Sequence, residues 1–319
     1  MVLLSSDSVR KHHNRRRKKR AKKILLILLG LLISLILIIA GVGAKMYLDV
    51  RSTANDTYKS ADRDGNKRKV KLSEQEPFSI LLLGVDTGAL GRTEQGRSDT
   101  MMVATVNPTT NESLLVSLPR DTYTEIVGHG TQDKMNHAYA FGGAAMAMDT
   151  VEKLLDIPID HYITINMEGI ETLVDAVDGI SVTNPFEFTY EERTFPKGKQ
   201  ELDGKSALSY SRMRYDDPNG DYGRQERQRQ IITGVAKKVL STNGLANYRT
   251  ILVTLGENVK TDLKFKDMRN LMSDYREAFG HIKSDQLKGE GFMQEGVSYQ
   301  RIDPSELKRV QDELKAQLK

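Results

Sequence analysis

The run of 21 uncharged residues between Lys23 and Lys45 constrains this chain more than any other segment. At the helical rise, such a run is about 31 Å long, which is enough to cross the hydrocarbon core of a bilayer. It predicts one transmembrane helix, Ile24 to Ala44. A cleaved signal peptide is the alternative because "VGA" before Lys45 resembles a cleavage site, but the apolar part of such a peptide spans only ~7 to 15 residues.

The first 23 residues contain ten of the 47 lysines and arginines and only one of the 43 acids, Asp7. This bias predicts that residues 1–23 form a cytoplasmic tail and that the chain after Ala44 lies outside the cell. The remainder then carries a net charge of −5, which argues against a nucleic-acid partner. We expect the tail to set the topology and to contact anionic lipid headgroups of the cell membrane.

Cysteine is absent, which excludes disulfides, thiolate metal sites and thiol nucleophiles. The six histidines show no metal-ligand spacing, so a zinc site is not expected.

The part of the chain outside the membrane divides into two segments. Residues 45–76 are polar and lack periodicity, which predicts an extracellular stalk. Residues 77–319 alternate short apolar runs with helical patterns, and "NPTTNE" between two of the runs fits a hairpin. We therefore predict a single α/β domain with a mixed central sheet flanked by helices on both faces.

The sequence also predicts where the elements lie. The predicted strands are "FSILLLGVD", "TMMVATV", "SLLVSLP", "HYITIN", "ISVTN" and a segment near "GVSYQRID". The predicted helices are Asp133 to Leu155, "MEGIETLVDAVDG", "LDGKSALSYS" capped by Asp203, Gln225 to Ser241, Lys266 to Phe279 and Pro304 to Leu318.

Two segments, Leu72 to Asp133 and Ser206 to Ala236, contain no lysine although the rest of the chain uses it freely. The first carries Arg92, Arg97 and Arg120 near predicted strand ends, where α/β sheets present ligand-binding groups. Arginine offers a planar fork that binds phosphate or carboxylate through two hydrogen bonds. The set predicts recognition of a multiply charged anion, with an ordinary salt bridge as the alternative for any single arginine.

Asp86 and Asp99 stand at the end of one predicted strand and at the start of its neighbour. Two carboxylates there can share Mg²⁺, which takes its other ligands from water and phosphate oxygens. With the arginines they predict a diphosphate clamp, and turn capping is the alternative for either aspartate alone. Arg224, Arg227 and Gln228 share one face near a helix start, where free amides favour an anion. A solvated first turn is the alternative there.

The motifs follow one another in a recognisable order. The chain contains "LLLGVD", "RSDTMMVATVNP", "SLPRDTY", "KMNHAYAFGG", "DGISV" and "LDGKSALSYSRMRYDD…GDYGRQERQRQII". From Ile80 to about Ile232 it resembles the LytR-CpsA-Psr (LCP) family. The resemblance implies the LCP fold and a membrane-anchored phosphotransferase on the outer face of a Gram-positive cell membrane. Such an enzyme moves a glycopolymer, such as wall teichoic acid or capsular polysaccharide, from an undecaprenyl-diphosphate carrier to peptidoglycan.

The resemblance also implies a role for particular residues. It implies catalytic roles for Asp86, Asp99 and Arg120, with Mg²⁺ held by the two aspartates. It implies diphosphate binding by Arg97, Arg120, Arg212, Arg214, Asp221, Arg224, Arg227 and Gln228. The carrier's lipid would lie in an apolar tunnel. Candidates for its lining, with ordinary core as the alternative for each, are Met101, Met102, Met146, Met148 and Met167.

Some alternatives stay open at this point. A polyprenyl-diphosphate hydrolase would use the same clamp with water as the acceptor. A transcriptional regulator or attenuator would need its arginines on the cytoplasmic side of the membrane. The sequence does not decide which glycopolymer is carried, or whether Asp86 or Asp99 takes the acceptor's proton.

Overall fold

The computed structural model describes residues 41, 43–63, 65, 67–86, 96–240, 251, 253–254, 256 and 258–319. The chain divides into two compact units, Met1–Arg51 and Ser52–Lys319. In the first unit, residues 43–51 are helical. None of the helices in the described ranges is long and apolar enough to span a bilayer. The predicted basic tail and nearly all of the predicted helix Ile24 to Ala44 lie outside those ranges.

The second unit contains both strands and helices. The strands are β1 (Phe78–Val85), β2 (Ser98–Asn107), β3 (Glu112–Ser117), β4 (Tyr123–Ile126), β5 (Thr131–Lys134), β6 (His161–Asn166), β7 (Ile180–Asn184), β8 (Phe188–Tyr190), β9 (Arg193–Phe195), β10 (Gly198–Leu202), β11 (Val259–Thr261), β12 (Ile282–Gln286), β13 (Gly289–Gln294) and β14 (Val297–Ile302). The helices that position the site are α1 (His137–Leu155), α2 (Met167–Ala176), α3 (Gly204–Arg212), α4 (Asp221–Val239), α5 (Phe265–Asp274), α6 (Arg276–Gly280) and α7 (Pro304–Gln317).

The central sheet has six strands in the order β11-β6-β1-β2-β3-β12. Strands β1, β2 and β3 pair antiparallel, so "NPTTNE" joins a hairpin as predicted. Strand β6 runs parallel to β1, and β12 runs parallel to β3, while β11 pairs antiparallel with β6. The predicted mixed sheet is therefore confirmed.

Helices cover both faces of this sheet, as the apolar runs predicted. On one face, Leu81 and Leu83 of β1 belong to the same buried cluster as side chains from α1 and α7. On the other face, Phe78 and Ile80 pack with Tyr275 and with residues of α5 and α6. Successive side chains of a strand point to opposite faces, so a strand buried on both sides reads as a continuous apolar run.

A second buried cluster lies outside the sheet, among α2, α3, α4 and the short strands β7 to β10. Helix α3 begins as predicted, because the Asp203 carboxylate accepts a hydrogen bond from the Ser206 amide at 2.7 Å. This helix leads directly into the loop that carries the predicted arginines.

Part of the segment predicted as a stalk, from Ser52 onward, is packed within the second unit. The Lys59 amide donates to the Thr261 carbonyl at 2.8 Å, and the Arg63 guanidinium contacts the Glu152 carboxylate at 2.8 Å. Leu72 is buried in the cluster beneath α5. Residues from Ser52 onward therefore belong to the same compact unit as the sheet.

Two predicted helices differ from the structure, one at its start and one in its interior. The helix predicted from Asp133 starts only at His137, because Thr131–Lys134 pairs instead with β4 as an antiparallel strand. The predicted helix Lys266 to Phe279 is interrupted at Tyr275, where φ is −114° and ψ is 4°. In both places tertiary pairing or packing overrides a helical sequence pattern.

Candidate functional site

Asp99 occupies an irregular position in the sheet. Gly84 pairs with Thr100, but the next residue of β1, Val85, pairs with Ser98, so Asp99 has no partner residue on β1. Such a bulge redirects the side chain of the extra residue. Asp86 follows β1 at the same edge, where its Oδ1 accepts a hydrogen bond from the Arg97 amide at 2.9 Å. The two predicted metal-binding aspartates therefore stand at neighbouring strand ends.

Arg120 follows β3 and reaches this edge. Its Nη1 donates a hydrogen bond to Asp99 Oδ1, and its Nε lies 3.8 Å from Asp121 Oδ2. Burial opposes the charge on Arg120, but Asp99, Asp121 and Asp221 outweigh this cost and raise the pKa of the guanidinium. The negative charge of Asp221 contributes to this rise in the pKa of Arg120, although about a hundred residues separate the two in the sequence.

The start of α4 supplies the remaining charges. Asp221 Oδ1 lies 2.7 Å from Arg224 Nη2 and 3.3 Å from Arg214 Nε. Burial lowers the pKa of Arg224, Asp221 opposes this effect, and the positive charges of Arg120 and Arg214 lower the pKa further. The two lysine-free segments therefore meet in space. We call Asp99, Arg120, Arg214, Asp221 and Arg224 the charged cluster.

Several buried polar atoms of this region lack hydrogen-bond partners. They include the Nε donors of Arg120 and Arg224, and also Gln228 Oε1. Buried donors are normally satisfied, so two buried guanidinium groups that repel each other and each keep an unpaired Nε donor indicate a site for an anion.

Arg97 and Arg212 are predicted site residues that the described contacts do not join to the charged cluster. Arg212 is exposed, and its Nη1 lies 3.8 Å from Glu191 Oε1. Arg97 is also exposed and touches the site through its main-chain amide, which binds Asp86. Arg92 lies among residues 87–95, outside the described part of the chain.

Arg227 is placed differently from its prediction. Its side chain is 1% exposed, with Nε donating to the Tyr210 carbonyl at 3.0 Å, Nη1 to Asp217 Oδ2 and Nη2 to the Met213 carbonyl. These bonds occupy the guanidinium inside the protein. The geometry thus favours a positioning role for Arg227 over the predicted contact with a diphosphate.

An apolar cavity of about 390 Å³ adjoins the charged cluster. Its polar lining residues are Thr100, which directly follows Asp99, Gln228, which lies about one helical turn after Arg224, and Ser211. Aliphatic side chains that include Ile231 and Val235 of α4 line the rest. Of the five methionines considered for a lipid tunnel, Met167 lines the cavity. The other four pack in or against buried core: Met101, Met102, Met146 and Met148.

Lys134 is a neighbour of the site that sequence reasoning missed. Its Nζ lies 3.0 Å from Asp121 Oδ1 and 5.6 Å from the centre of the Tyr299 ring. The available signal was its position as the first lysine after the lysine-free segment, within the motif "KMNHAYAFGG".

The donor set at the strand ends suits a hard cation. The described residues contain no group of three or more histidine, aspartate or glutamate side chains placed to hold a metal. Magnesium does not require such a group, because one or two carboxylates suffice when substrate phosphates and water complete the shell. Asp86 and Asp99 fit that requirement.

A mixed α/β domain with a charged cluster beside an apolar cavity has the architecture of a protein that binds an anion carried on an apolar chain. The family model for the LytR-CpsA-Psr (LytR_cpsA_psr) family matches residues 44–316. The chain therefore belongs to the LytR-CpsA-Psr family.

Individual relatives share most of the chain. It is 58% identical over 289 residues to polyisoprenyl-teichoic acid–peptidoglycan teichoic acid transferase TagU from Enterococcus faecalis, covering 91% of this chain and 95% of the relative. The crystal structure of Bacillus subtilis TagU is 43% identical, with a TM-score of 0.62 over 76% of this chain and 97% of that chain. A structure of TagT bound to LI-WTA is 30% identical, with a TM-score of 0.66 over 79% and 94% of the two chains.

Proposed function

We propose that this protein is a phosphotransferase that attaches a glycopolymer from an undecaprenyl-diphosphate carrier to peptidoglycan. The observation that carries the proposal is the juxtaposition of the charged cluster with the apolar cavity. A diphosphate joined to a long apolar chain would fill both. Relatives named as teichoic acid transferases support teichoic acid or a related polymer as the cargo.

The arginines of the cluster bind the diphosphate in this proposal. Arg120 and Arg224 each have a buried Nε donor without a partner, and Arg214 shares Asp221 with Arg224. Fixed guanidinium donors stabilise the charge that develops on the phosphoryl oxygens during transfer. The isoprenoid chain lies along the aliphatic face of α4 in the cavity.

Asp86 and Asp99 hold Mg²⁺ in this proposal. The ion supplies charge neutralisation of the two phosphates when bound. Arg120 Nη1 donates a hydrogen bond to Asp99 Oδ1, so Arg120 also sets the orientation of that carboxylate.

The transfer step is a substitution at phosphorus. A hydroxyl oxygen of a peptidoglycan sugar forms a bond to the phosphorus that bears the polymer, while the bond from this phosphorus to the bridging oxygen breaks. Undecaprenyl phosphate leaves with that oxygen. The proton of the hydroxyl passes to a carboxylate at the strand ends, Asp99 or Asp86.

A location at the outer face of the cell membrane follows from the same chemistry, because both carrier and peptidoglycan are there. The basic tail and apolar run in residues 1–44 support a single-pass anchor with a cytoplasmic N-terminus.

Incubation of the purified protein with an undecaprenyl-linked polymer, peptidoglycan and Mg²⁺ tests the proposal. We expect a polymer–peptidoglycan phosphodiester that is lost with a chelator and restored by Mg²⁺. Release of polymer phosphate without its attachment would instead identify a diphosphate hydrolase. Protease accessibility of the domain on intact protoplasts tests the topology.

A further inference from the structure

A second cavity, of about 420 Å³, lies beside the first half of α4 and has no role in the function proposed above. We call it the polar groove. Its lining includes Phe186, Asn219, Tyr222, Gln286 and Lys288. Unlike the apolar cavity, it combines aromatic rings and amide groups with charged side chains. Asp217 and Arg227 of the lining pair with each other, and Glu226 pairs with Arg229, which leaves the Lys288 ammonium as its cation for a ligand.

The polar groove and the apolar cavity lie on opposite sides of the same helix. An α-helix turns by about 100° per residue, so Val235, which lines the apolar cavity, and Glu226, which lines the polar groove, point in directions about 180° apart. Arg224 and Gln228 lie on the side of Val235. The diphosphate would therefore sit at the start of α4 with its lipid along one face of the helix, while the polar groove follows the other.

The polar groove is connected to the charged cluster by hydrogen bonds. Gln286 Nε2 donates to the Tyr222 carbonyl at 3.1 Å and to Gln225 Oε1 at 3.3 Å. Gln225 Nε2 in turn donates to Asp221 Oδ2 at 2.9 Å. Gln286 of the groove is thus connected through the Gln225 side chain to Asp221, the carboxylate that pairs with Arg214 and Arg224.

The stereochemistry of phosphoryl transfer requires the acceptor and the leaving group on opposite sides of the phosphorus. The attacking and leaving oxygens lie roughly in line through phosphorus. When the lipid phosphate leaves toward the apolar cavity, the acceptor hydroxyl must approach the phosphorus from the side away from that cavity, so the acceptor strand needs a binding surface other than the cavity.

The groove's chemistry fits a saccharide that carries amide and carboxylate groups. Phe186 and Tyr222 present rings to the apolar C–H faces of a sugar, and Asn219 can donate and accept hydrogen bonds with acetamido groups. The Lys288 ammonium has no ion-pair partner among the described residues and can bind a carboxylate. Peptidoglycan offers all three kinds of group.

We propose that the polar groove is the acceptor-strand site, which binds peptidoglycan beside the charged cluster. This assignment rests on the transferase function proposed above. It adds the residues that recognise the acceptor and separates them from those that bind the carrier.

Two variants test the assignment without touching the charged cluster. Asn219→Trp places a large ring in the groove, and Lys288→Ala removes its free cation. Each should raise the KM for soluble, uncrosslinked peptidoglycan strands about tenfold, as loss of one charge-assisted contact or more predicts. The affinity for a polyprenyl diphosphate, measured directly with Mg²⁺ present, should not change. The exposed Lys266→Ala on α5 is the matched control and should change neither quantity.

Unchanged acceptor KM in both variants would overturn the assignment, as would an equal loss of polyprenyl-diphosphate binding. If the wild-type protein forms no phosphodiester at all, the transferase function itself fails. In that case, binding of the soluble strands measured by calorimetry still decides the matter, because the groove requires wild-type binding that Asn219→Trp abolishes.

Discussion

Arg227 and Asp217 form an ion pair in which each side chain is 1% exposed. A Cβ on Gly223 would lie 1.9 Å from Asp217 Oδ2, so the carboxylate rests directly against the backbone of α4. Arg227 also binds the carbonyls of Tyr210 and Met213. The pair thus clamps the loop that presents Arg214 to the charged cluster.

Arg227→Met is therefore expected to destabilise the fold. It leaves the Asp217 charge buried without a partner, which costs about 3–5 kcal/mol. Urea unfolding followed by circular dichroism measures the loss. Arg212→Met is the matched control, because the Arg212–Glu191 pair is exposed and contributes no more than about 1 kcal/mol. Equal losses in the two variants would contradict the role assigned to the buried pair.

Arg120→Lys should reduce polymer transfer about a hundredfold or more, although the positive charge is kept. A lysine ammonium has all its donors on one nitrogen, so it cannot reproduce the planar fork with which Arg120 binds Asp99 through Nη1 and keeps Nε for a phosphate oxygen. Initial rates at saturating carrier and acceptor measure the effect. Arg97→Lys is the comparison, since Arg97 touches Asp86 through its backbone amide. An Arg120→Lys rate near that of the wild type would refute the need for a forked donor.

Val235→Trp should discriminate between carriers by chain length. The substitution fills part of the apolar cavity, so affinity should fall for an undecaprenyl diphosphate but stay unchanged for a short isoprenyl diphosphate. Each CH₂ excluded from the cavity costs about 0.8 kcal/mol. Calorimetric titration with both ligands gives the comparison, and Met293→Trp on the exposed tip of β13 is the control. A similar loss for both ligands would place the chain elsewhere.

Asp203→Ala should destabilise the protein by about 1 kcal/mol at neutral pH, because it removes the cap of α3. Hydrogen bonds from Ser206 lower the pKa of Asp203 below its ordinary 3.8. The contribution of its charge is therefore fully present above pH 3.8 and is lost as the pH falls through the lowered value. Unfolding curves for wild type and variant should converge in that acid range. A difference that stays constant with pH would show that the charge is irrelevant.

The central strands could be predicted because the apolar run within each strand is enough to identify it as buried. The residues of β1 are apolar on both faces, and "NPTTNE" has the composition of a turn. Strands β1, β2, β3 and β6 therefore follow from short sequence patterns. Strands β4 and β5 have no such signature. They form because Tyr123–Ile126 and Thr131–Lys134 meet as a hairpin, and "TQDK" resembles a polar helix start as much as a strand.

Arg224 and Arg227 show the same limit within the site. Both stand in "GDYGRQERQ", three residues apart on one helix, and the spacing alone suggests a shared role. Their directions differ by about 60°, which turns Arg224 toward Asp221 and Arg227 toward the buried Asp217. No local pattern distinguishes a guanidinium that faces a ligand from one that faces its own loop.

The sequence by itself determined the kinds of groups involved, the anchor-like apolar run, and the two regions rich in arginine and aspartate, because residue chemistry and short-range periodicity are local properties. Only the tertiary structure decided which arginines meet and which are occupied internally, and where the apolar cavity and the polar groove lie about α4. The charged cluster depends on packing between segments about a hundred residues apart. Within α4, a step of three residues separates Arg224 at the site from Arg227 in the core.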